Sequence, residues 1–292
     1  MATVPFDQLK GTIWFNGEFI DWQDAKIHVL THGLHYGGSV FEGERAYGGK
    51  IFKSREHSER FLKSAEYLDF EIPYTVDQLI IAKQKCVELN SFQSCYVRPV
   101  AWRGSEMMAV AAQSAKIHTA IAVWDWPSMF DVAQKMKGIR LDVAEYRRPD
   151  PMTAPCFSKA AGLYMICTIS KHRAERRGYA DAMMLDWQGR VAECTGANIF
   201  FTKNGELHTP IADCFLSGIT RSTVIDLANR RGIKVVESRI MPDDLASFEE
   251  CFICGTGAEV TPVSEIGPYR FVPGKISQTL LEDYTAEVQP KD

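Results

Sequence analysis

The dipeptide Asn-Gly stands at 16–17 and again at 204–205, each time between short runs of β-branched and aromatic residues. A type I′ turn needs positive φ at both central residues, which Asn and Gly tolerate best, so each pair predicts a tight hairpin. The strands are Thr12–Asn16 with Glu18–Ile20, and Ile199–Thr202 with Leu207–Thr209. A third hairpin, Ala182–Asp186 with Val191–Thr195, turns over Trp187-Gln-Gly-Arg190. Antiparallel pairing is therefore built into both halves of the chain. Helical spacing interrupts it. Phe61, Leu62, Ala65 and Leu68 predict a helix over Arg55–Leu68. Leu79, Ile80, Ala82, Cys86, Val87 and Leu89 predict another over Thr75–Asn90, with Thr75 as N-cap. Helices over Ala160–Arg177 and Thr220–Arg231 would close at Gly178 and Gly232. The other strand-like runs are Val40–Tyr47, Ser94–Trp102, Lys116–Val123, Ile139–Tyr146, Lys234–Arg239, Glu250–Gly255 and Val260–Val263. Strands outnumber helices and several are joined by hairpins, which predicts an α+β fold, not an alternating βαβ chain. The pattern breaks around Asp125–Gly138, where Trp126-Pro127 marks a loop. The expected division is a small domain over 1–125, an interdomain loop over 126–138 and a larger domain over 139–292.

With 292 residues, 46% of them hydrophobic, the chain can bury more than one core. The formal net charge is −4 and the basic residues are scattered, which argues against nucleic acid or a lipid surface as the main partner. The opening MATVPFDQLKGTIWF lacks the basic-then-apolar pattern of a signal peptide. No run approaches the roughly eighteen apolar residues of a membrane span. The expected location is the cytoplasm. Eight cysteines in apolar surroundings read as buried thiols rather than a disulfide framework. Cys251 and Cys254 form a C-x-x-C, but residues three apart on a strand point to opposite faces, and no second pair accompanies them. No metal site is expected.

Lys159 is the only charged residue between Pro151 and Ser170, and its neighbours Ser158, Ala160, Ala161 and Gly162 are small enough to admit a bulky planar group. Burial disfavours the ammonium form, and a neutral amine attacks carbonyls. A lysine that snorkels from a helix end would share this setting. Glu193 ends a strand-like run, VAEC, followed by the polar turn residues Gly196 and Asn198. It suits a pyridine nitrogen that must stay protonated, and equally a strand carboxylate facing solvent. Ile219-Thr220 follows Gly218 at a helix start, where free N–H groups and a hydroxyl favour phosphate, or a plain N-cap. Thr256 lies in a second glycine turn, Gly255-Thr256-Gly257-Ala258, and Arg60 offers a cation for the same anion. Together these residues supply an amine for an aldehyde, an acid for a ring nitrogen, and two N–H turns and a cation for a phosphate. That is the set a pyridoxal phosphate (PLP) enzyme needs.

Six segments, taken in order, resemble the motifs of the branched-chain amino-acid aminotransferases, fold-type IV PLP enzymes. They are HYGGSVFEGERAY (His35–Tyr47), YVRPV (Tyr96–Val100), KAAGLY (Lys159–Tyr164), AECTGANIFF (Ala192–Phe201), LSGITR (Leu216–Arg221) and CGTGAEVTPV (Cys254–Val263). The resemblance implies a small N-terminal α/β domain, a larger C-terminal pseudo-barrel domain, and at least a homodimer with both subunits contributing to each site. It implies that Lys159 holds the cofactor and moves the proton, Glu193 pairs with the ring nitrogen, and Tyr164 bonds the phenolic oxygen. Arg60, Ile219, Thr220 and Thr256 would hold the phosphate, with Gly196 and Asn198 beside the cofactor. Tyr36, Phe41, Trp126 and Tyr164 would enclose a branched side chain. Gly257, Ala258 and Tyr96 would receive the α-carboxylate, and Arg98 the distal carboxylate of glutamate. The implied reaction is ping-pong transamination between leucine, isoleucine or valine and 2-oxoglutarate, through pyridoxamine phosphate. D-amino-acid aminotransferases, (R)-selective amine transaminases and 4-amino-4-deoxychorismate lyases share the fold; Tyr96 with Arg98 favours the branched-chain type. A non-catalytic PLP-fold binder is the alternative outside enzymes, against which Lys159 and Glu193 weigh. The segment Arg103–Met108 departs from the glycine-rich loop usual in the family.

Overall fold

A computed structural model describes residues 4–126 and 132–290. Residues 127–131 of the expected interdomain loop lie outside the described ones. The chain divides into two compact units. The first comprises Met1–Pro127, Ser158–Gly162 and Pro290–Asp292, and the second Ser128–Phe157 and Leu163–Gln289. The lysine segment thus belongs to the first unit, although the chain on either side of it belongs to the second.

The first unit is an antiparallel sheet of seven strands: β1 Thr12–Phe15, β2 Glu18–Asp21, β3 Ser39–Phe41, β4 Glu44–Tyr47, β5 Lys50–Ile51, β6 Cys95–Arg103 and β7 Ile117–Asp125. Its order is β2-β1-β7-β6-β4-β5, with β3 paired to β6. Asn16 and Gly17 both have positive φ and close the β1–β2 hairpin, as turn chemistry requires. The run Val40–Tyr47, expected as one strand, is two. It is interrupted at Glu42-Gly43, opposite Pro99 of β6: the Glu42 N–H reaches the Pro99 carbonyl, but proline has no N–H to return, and the register is the same on both sides.

Three helices accompany this sheet: α1 His32–Tyr36, α2 Ser54–Glu66 and α3 Val76–Leu89. Thr75 and Gln78 form a reciprocal capping box at the start of α3. The buried stripe of α2 is His57, Ser58, Phe61, Ser64 and Ala65. Phe61 and Ala65 join Val40, Phe70, Ile72, Leu79 and Ala101 in one core cluster. The polar members of that stripe need partners. The buried Lys83 of α3 links Ser58 to Glu44, which is fully inaccessible: Lys83 Nζ donates to both Glu44 oxygens at 2.9 and 2.7 Å and to Ser58 Oγ at 2.8 Å.

The second unit carries a sheet of nine strands: β8 Ile139–Val143, β9 Asp181–Leu185, β10 Val191–Cys194, β11 Asn198–Lys203, β12 Glu206–Pro210, β13 Val235–Ser238, β14 Glu250–Gly255, β15 Glu259–Ile266 and β16 Tyr269–Arg270. Its order is β10-β9-β8-β15-β14-β11-β12-β13, with β16 on β15. Its helices are α4 Val132–Lys135, α5 Met165–Arg176, α6 Ile219–Arg230 and α7 Lys275–Glu287. Two parallel pairs are bridged by helices, β8 and β9 by α5, β12 and β13 by α6. The expected hairpins at 187–190 and 204–205 are present. The helix expected from Ala160 is instead a 3₁₀ turn, Ala161–Tyr164, leading into α5, so Lys159 precedes the helix.

Helix α7 has no counterpart in the sequence reading. Its buried residues Ser277, Leu280, Leu281 and Tyr284 are at helical spacing, but Gly274 offers no side-chain cap. The cap comes from β14, where the Glu250 carboxylate accepts the N–H groups of Gly274, Ile276 and Ser277. All eight cysteines are buried free thiols. Burial pushes Cys251 and Cys254 of β14 far above the ordinary thiol range, so neither is poised to form a thiolate.

Removing one partner of a buried ion pair strands the other charge. Lys83→Ala is expected to destabilise the protein by about 3–5 kcal/mol. Lys83→Met with Glu44→Leu should recover most of that loss, as measured by denaturant unfolding.

Candidate active site

In the first unit, Lys159 is held by its backbone. Its N–H donates to Ser64 Oγ at 3.0 Å, and its carbonyl accepts the Phe41 N–H at 3.1 Å. Its Nζ lies 5.1 Å from the centre of the Phe41 ring. On the neighbouring strands an aromatic cluster surrounds Arg98. The guanidinium lies 4.8, 5.1 and 5.8 Å from the rings of Phe41, Tyr96 and Trp124. Tyr96 stacks on Trp124 and tilts against Trp126, at 5.1 and 5.3 Å. Among the described residues no carboxylate pairs with Arg98, and its Nε is buried without a hydrogen bond. A guanidinium walled by rings and lacking a counter-ion is ready for an incoming carboxylate. Arg98 also borders an apolar cavity of about 360 Å³, lined among others by Ile13, Phe15, Leu34 and Trp102. The structure thus brings Phe41, Tyr96, Arg98 and Trp126 together. Tyr36, half-exposed, is stacked instead on His32 of α1 at 4.7 Å.

Arg60 comes with a partner that the sequence reading missed. Its Nε and one terminal nitrogen donate to the two oxygens of Glu42, at 2.6 and 2.8 Å. His57 Nδ1 lies 2.7 Å from the same carboxylate. Burial would raise the Glu42 pKa, but the adjacent Arg60 and His57 hold it well below the usual carboxylate range. The signal was present in the sequence as two glutamates, Glu42 and Glu44, within a strand-like run.

In the second unit, Glu193 of β10 is flanked by two side chains. Arg148 Nε lies 3.2 Å from Oε1, at an angle too oblique for a good hydrogen bond, and Asn198 Nδ2 lies 3.3 Å from Oε2. Burial would lower the Arg148 pKa, but the facing Glu193 carboxylate outweighs this and raises it. Arg148 was not legible: it follows Arg147 in an ordinary polar stretch. Asn198 has a second task. Its Oδ1 accepts the Gly218 N–H at 3.1 Å, at the N-cap of α6, and a Cβ on Gly218 would come within 2.3 Å of that oxygen. The Ser222 N–H returns to the Gly218 carbonyl, so the N–H groups of Ile219 and Thr220 lie in the first turn, where a helix has no internal acceptor. Thr220 is buried and Ile219 half-buried. Next to β11, β14 ends at Gly255, packed against the Gly196 carbonyl and Ala197, and hands over to Thr256, Gly257 and Ala258. Tyr164, at the end of the 3₁₀ turn, lies within electrostatic reach of Arg148.

A family model for class IV aminotransferases matches residues 39–266. The chain belongs to the class IV aminotransferase family. It is 42% identical over 294 residues to a probable branched-chain-amino-acid aminotransferase of Rickettsia conorii, covering 99% of this chain and 100% of the relative. It is similar to the branched-chain aminotransferase of Thermoproteus uzoniensis solved with norvaline, with a TM-score of 0.91 and 35% identity, covering 96% of this chain and 95% of that one. It is also similar to the branched-chain amino acid aminotransferase of Thermobaculum terrenum solved in its PLP form, with a TM-score of 0.87 and 27% identity, covering 96% and 94%. The α+β fold is thus fold type IV.

Class IV aminotransferases work with PLP. The donor set of this aminotransferase fits that group. A carboxylate facing Arg148 suits a protonated pyridine nitrogen, and a helix start whose first N–H groups have no helical acceptor suits a phosphate. One three-residue cluster among the described residues, Asp186, Asp213 and Cys214, has ligand atoms close enough for a metal. Asp186 is already taken by Arg190 at 2.5 Å and by two backbone N–H groups, and burial pushes the Cys214 thiol up to about 12.

The folded-state pKa of Glu42 lies below its ordinary value of about 4.5, so the stability it confers is complete above that value and lost as the pH falls below it. Unfolding in urea from about pH 7 down to about pH 3 should show this acid limb, and Glu42→Gln should flatten it.

Proposed function

We propose that this protein transfers the amino group between branched-chain L-amino acids (leucine, isoleucine or valine) and 2-oxoglutarate, in two ping-pong half-reactions with PLP carrying the amino group between them. The single observation that carries this reading is the setting of Arg98, a cation inside an aromatic wall with no counter-ion among the described residues. The wall accepts an apolar branched side chain, and the guanidinium accepts the second carboxylate of glutamate. One pocket can then serve both partners of the exchange. The names of the relatives and of the structural neighbours support the same substrate class.

The bound cofactor supplies an electron sink for the carbanion left when the substrate loses its Cα proton. The remaining work falls to the chain. Lys159 would hold the cofactor through its amine and, with that amine free, would move the proton taken from the substrate Cα. Its fixed backbone leaves the side chain to make that movement. Glu193, facing Arg148 and Asn198, would keep the ring nitrogen protonated. Tyr164 donates to the phenolic oxygen. Ile219, Thr220, Thr256 and Arg60 hold the phosphate, and Gly196 lines the ring. Gly257 and Ala258 present N–H groups to the α-carboxylate with help from Tyr96. Tyr36, Phe41, Trp126 and Tyr164 enclose the side chain. The working unit in this reading is a homodimer in the cytoplasm; no helix among the described residues is long and apolar enough to cross a membrane.

An absorbance spectrum of the purified protein should show a violet cofactor band that shifts towards the near ultraviolet when L-leucine is added. No visible band after PLP is supplied would refute the cofactor role. Faster reaction with D-alanine than with L-leucine would refute the substrate class. Lys159→Ala should abolish turnover while leaving the protein folded.

A further inference from the structure

A serine inside a helix ordinarily returns its hydroxyl to the carbonyl four residues earlier. Ser58 of α2 does so, bonding the Ser54 carbonyl at 2.8 Å. Ser64, further along the same helix and almost fully buried, makes different contacts. Its Oγ accepts the Lys159 N–H at 3.0 Å. Its carbonyl is one of those a helix end leaves over, because the Leu68 N–H that a continuing helix would send to it turns back to Ala65 instead. The Ser158 hydroxyl takes that place, donating to the Ser64 carbonyl at 2.8 Å. One helix residue thus grips two successive residues of the lysine segment, one by its side chain and one by its main chain.

The other side of the segment is fastened to the sheet. The Phe41 N–H donates to the Lys159 carbonyl, and Ala160 forms an isolated bridge with Val40 of β3. Both polar groups of the Lys159 backbone are therefore satisfied, one by α2 and one by the end of β3. The N–H is the group that depends on a side chain. The Phe41 contact survives any substitution at 41 other than proline, whereas the Ser64 contact is lost with one oxygen atom.

We propose that Ser64 is a positioning residue for Lys159, fixing the lysine Cα so that the reach of Nζ is set by the side chain alone. This rests on the reading of Lys159 as the cofactor-holding lysine. A proton moved between two carbon atoms demands placement of the amine within a fraction of an ångström, and small misplacements at a reacting centre cost large factors in rate. Loss of the Ser64 hydroxyl leaves the Lys159 N–H without its acceptor, and the backbone shifts to find another. Substrate recognition, which lies with other residues, is unaffected.

The test compares Ser64→Ala with Ser158→Ala in the PLP-loaded enzyme. The two remove neighbouring hydrogen bonds of the same strap, but only the first touches the lysine's own amide. Ser64→Ala is expected to lower kcat by roughly tenfold with KM for L-leucine within about twofold, and to shift the pH midpoint of the cofactor's visible band. Ser158→Ala should lose comparable thermal stability with a much smaller effect on kcat and on the band. Ser64→Cys, which retains a weaker acceptor, should fall between wild type and Ser64→Ala; it also serves if the alanine variant does not fold. A Ser64→Ala protein with reduced stability but unchanged kcat and band midpoint would overturn the proposal, as would equal kcat losses in the two alanine variants. Retained turnover in Lys159→Ala would overturn the underlying role of the lysine instead, which separates the two failures.

Discussion

Glu42 is a carboxylate with no access to water, and a charge in that position survives only if its counter-charges are brought to it. His57 and Arg60 do this from successive positions on one face of α2. The contacts also set the rotation and height of α2 against the end of β3, because two side chains three residues apart reach one carboxylate. Ser64 lies one turn further along the same helix. Residue 41, next to Glu42, bonds the Lys159 carbonyl, and Ser64 bonds its N–H. The ion cluster and the lysine strap are therefore neighbouring parts of one arrangement. The same carboxylate that orients Arg60 keeps α2 where Ser64 can meet the lysine.

Asn198 has the corresponding place in the second unit. One amide connects three pieces of chain: its Nδ2 reaches Glu193 and the Leu216 carbonyl, and its Oδ1 takes the Gly218 N–H. The residue proposed for the ring nitrogen and the helix start proposed for the phosphate are thus spaced by a single buried side chain. Its strand pairs with β14, in the register Asn198 opposite Cys254, which brings the Gly255–Ala258 turn alongside. Satisfying the hydrogen bonds of one buried amide and spacing the acid proposed for the ring nitrogen from the turn proposed for the phosphate are the same structural problem.

Much of this was legible before the structure. The two Asn-Gly hairpins, the α2 and α3 stripes and the Thr75 cap follow from contacts within a few residues of one another. What escaped the sequence shares a different property. Helix α7 is capped by Glu250, twenty-four residues upstream of Gly274. The partner of Arg60 is eighteen residues away, that of Lys83 is thirty-nine, and that of the Lys159 amide ninety-five. Val40–Tyr47 reads as one strand, yet Pro99 of β6 falls opposite Glu42 and has no N–H for the ladder, so the strand is interrupted there. No local pattern encodes which distant group will lie against a given position.

The sequence by itself determined the kinds of groups available: one lysine in an otherwise charge-free run, an acid on a strand, two N–H turns, and an arginine on a strand in Tyr96–Val100. It also determined the local conformations that carry them, since turn preferences and helical periodicity act over a few residues. The tertiary structure decided which groups are charged, which are held still and which are available. Arg98 is open to a carboxylate because no acid among the described residues reaches it, while Arg60 already shares Glu42 with His57. Lys159 is fixed by Ser64, a residue that nothing in its own segment points to. The physical reason is that a buried charge or amide must find its partner wherever the fold brings one, and chain distance does not enter that requirement.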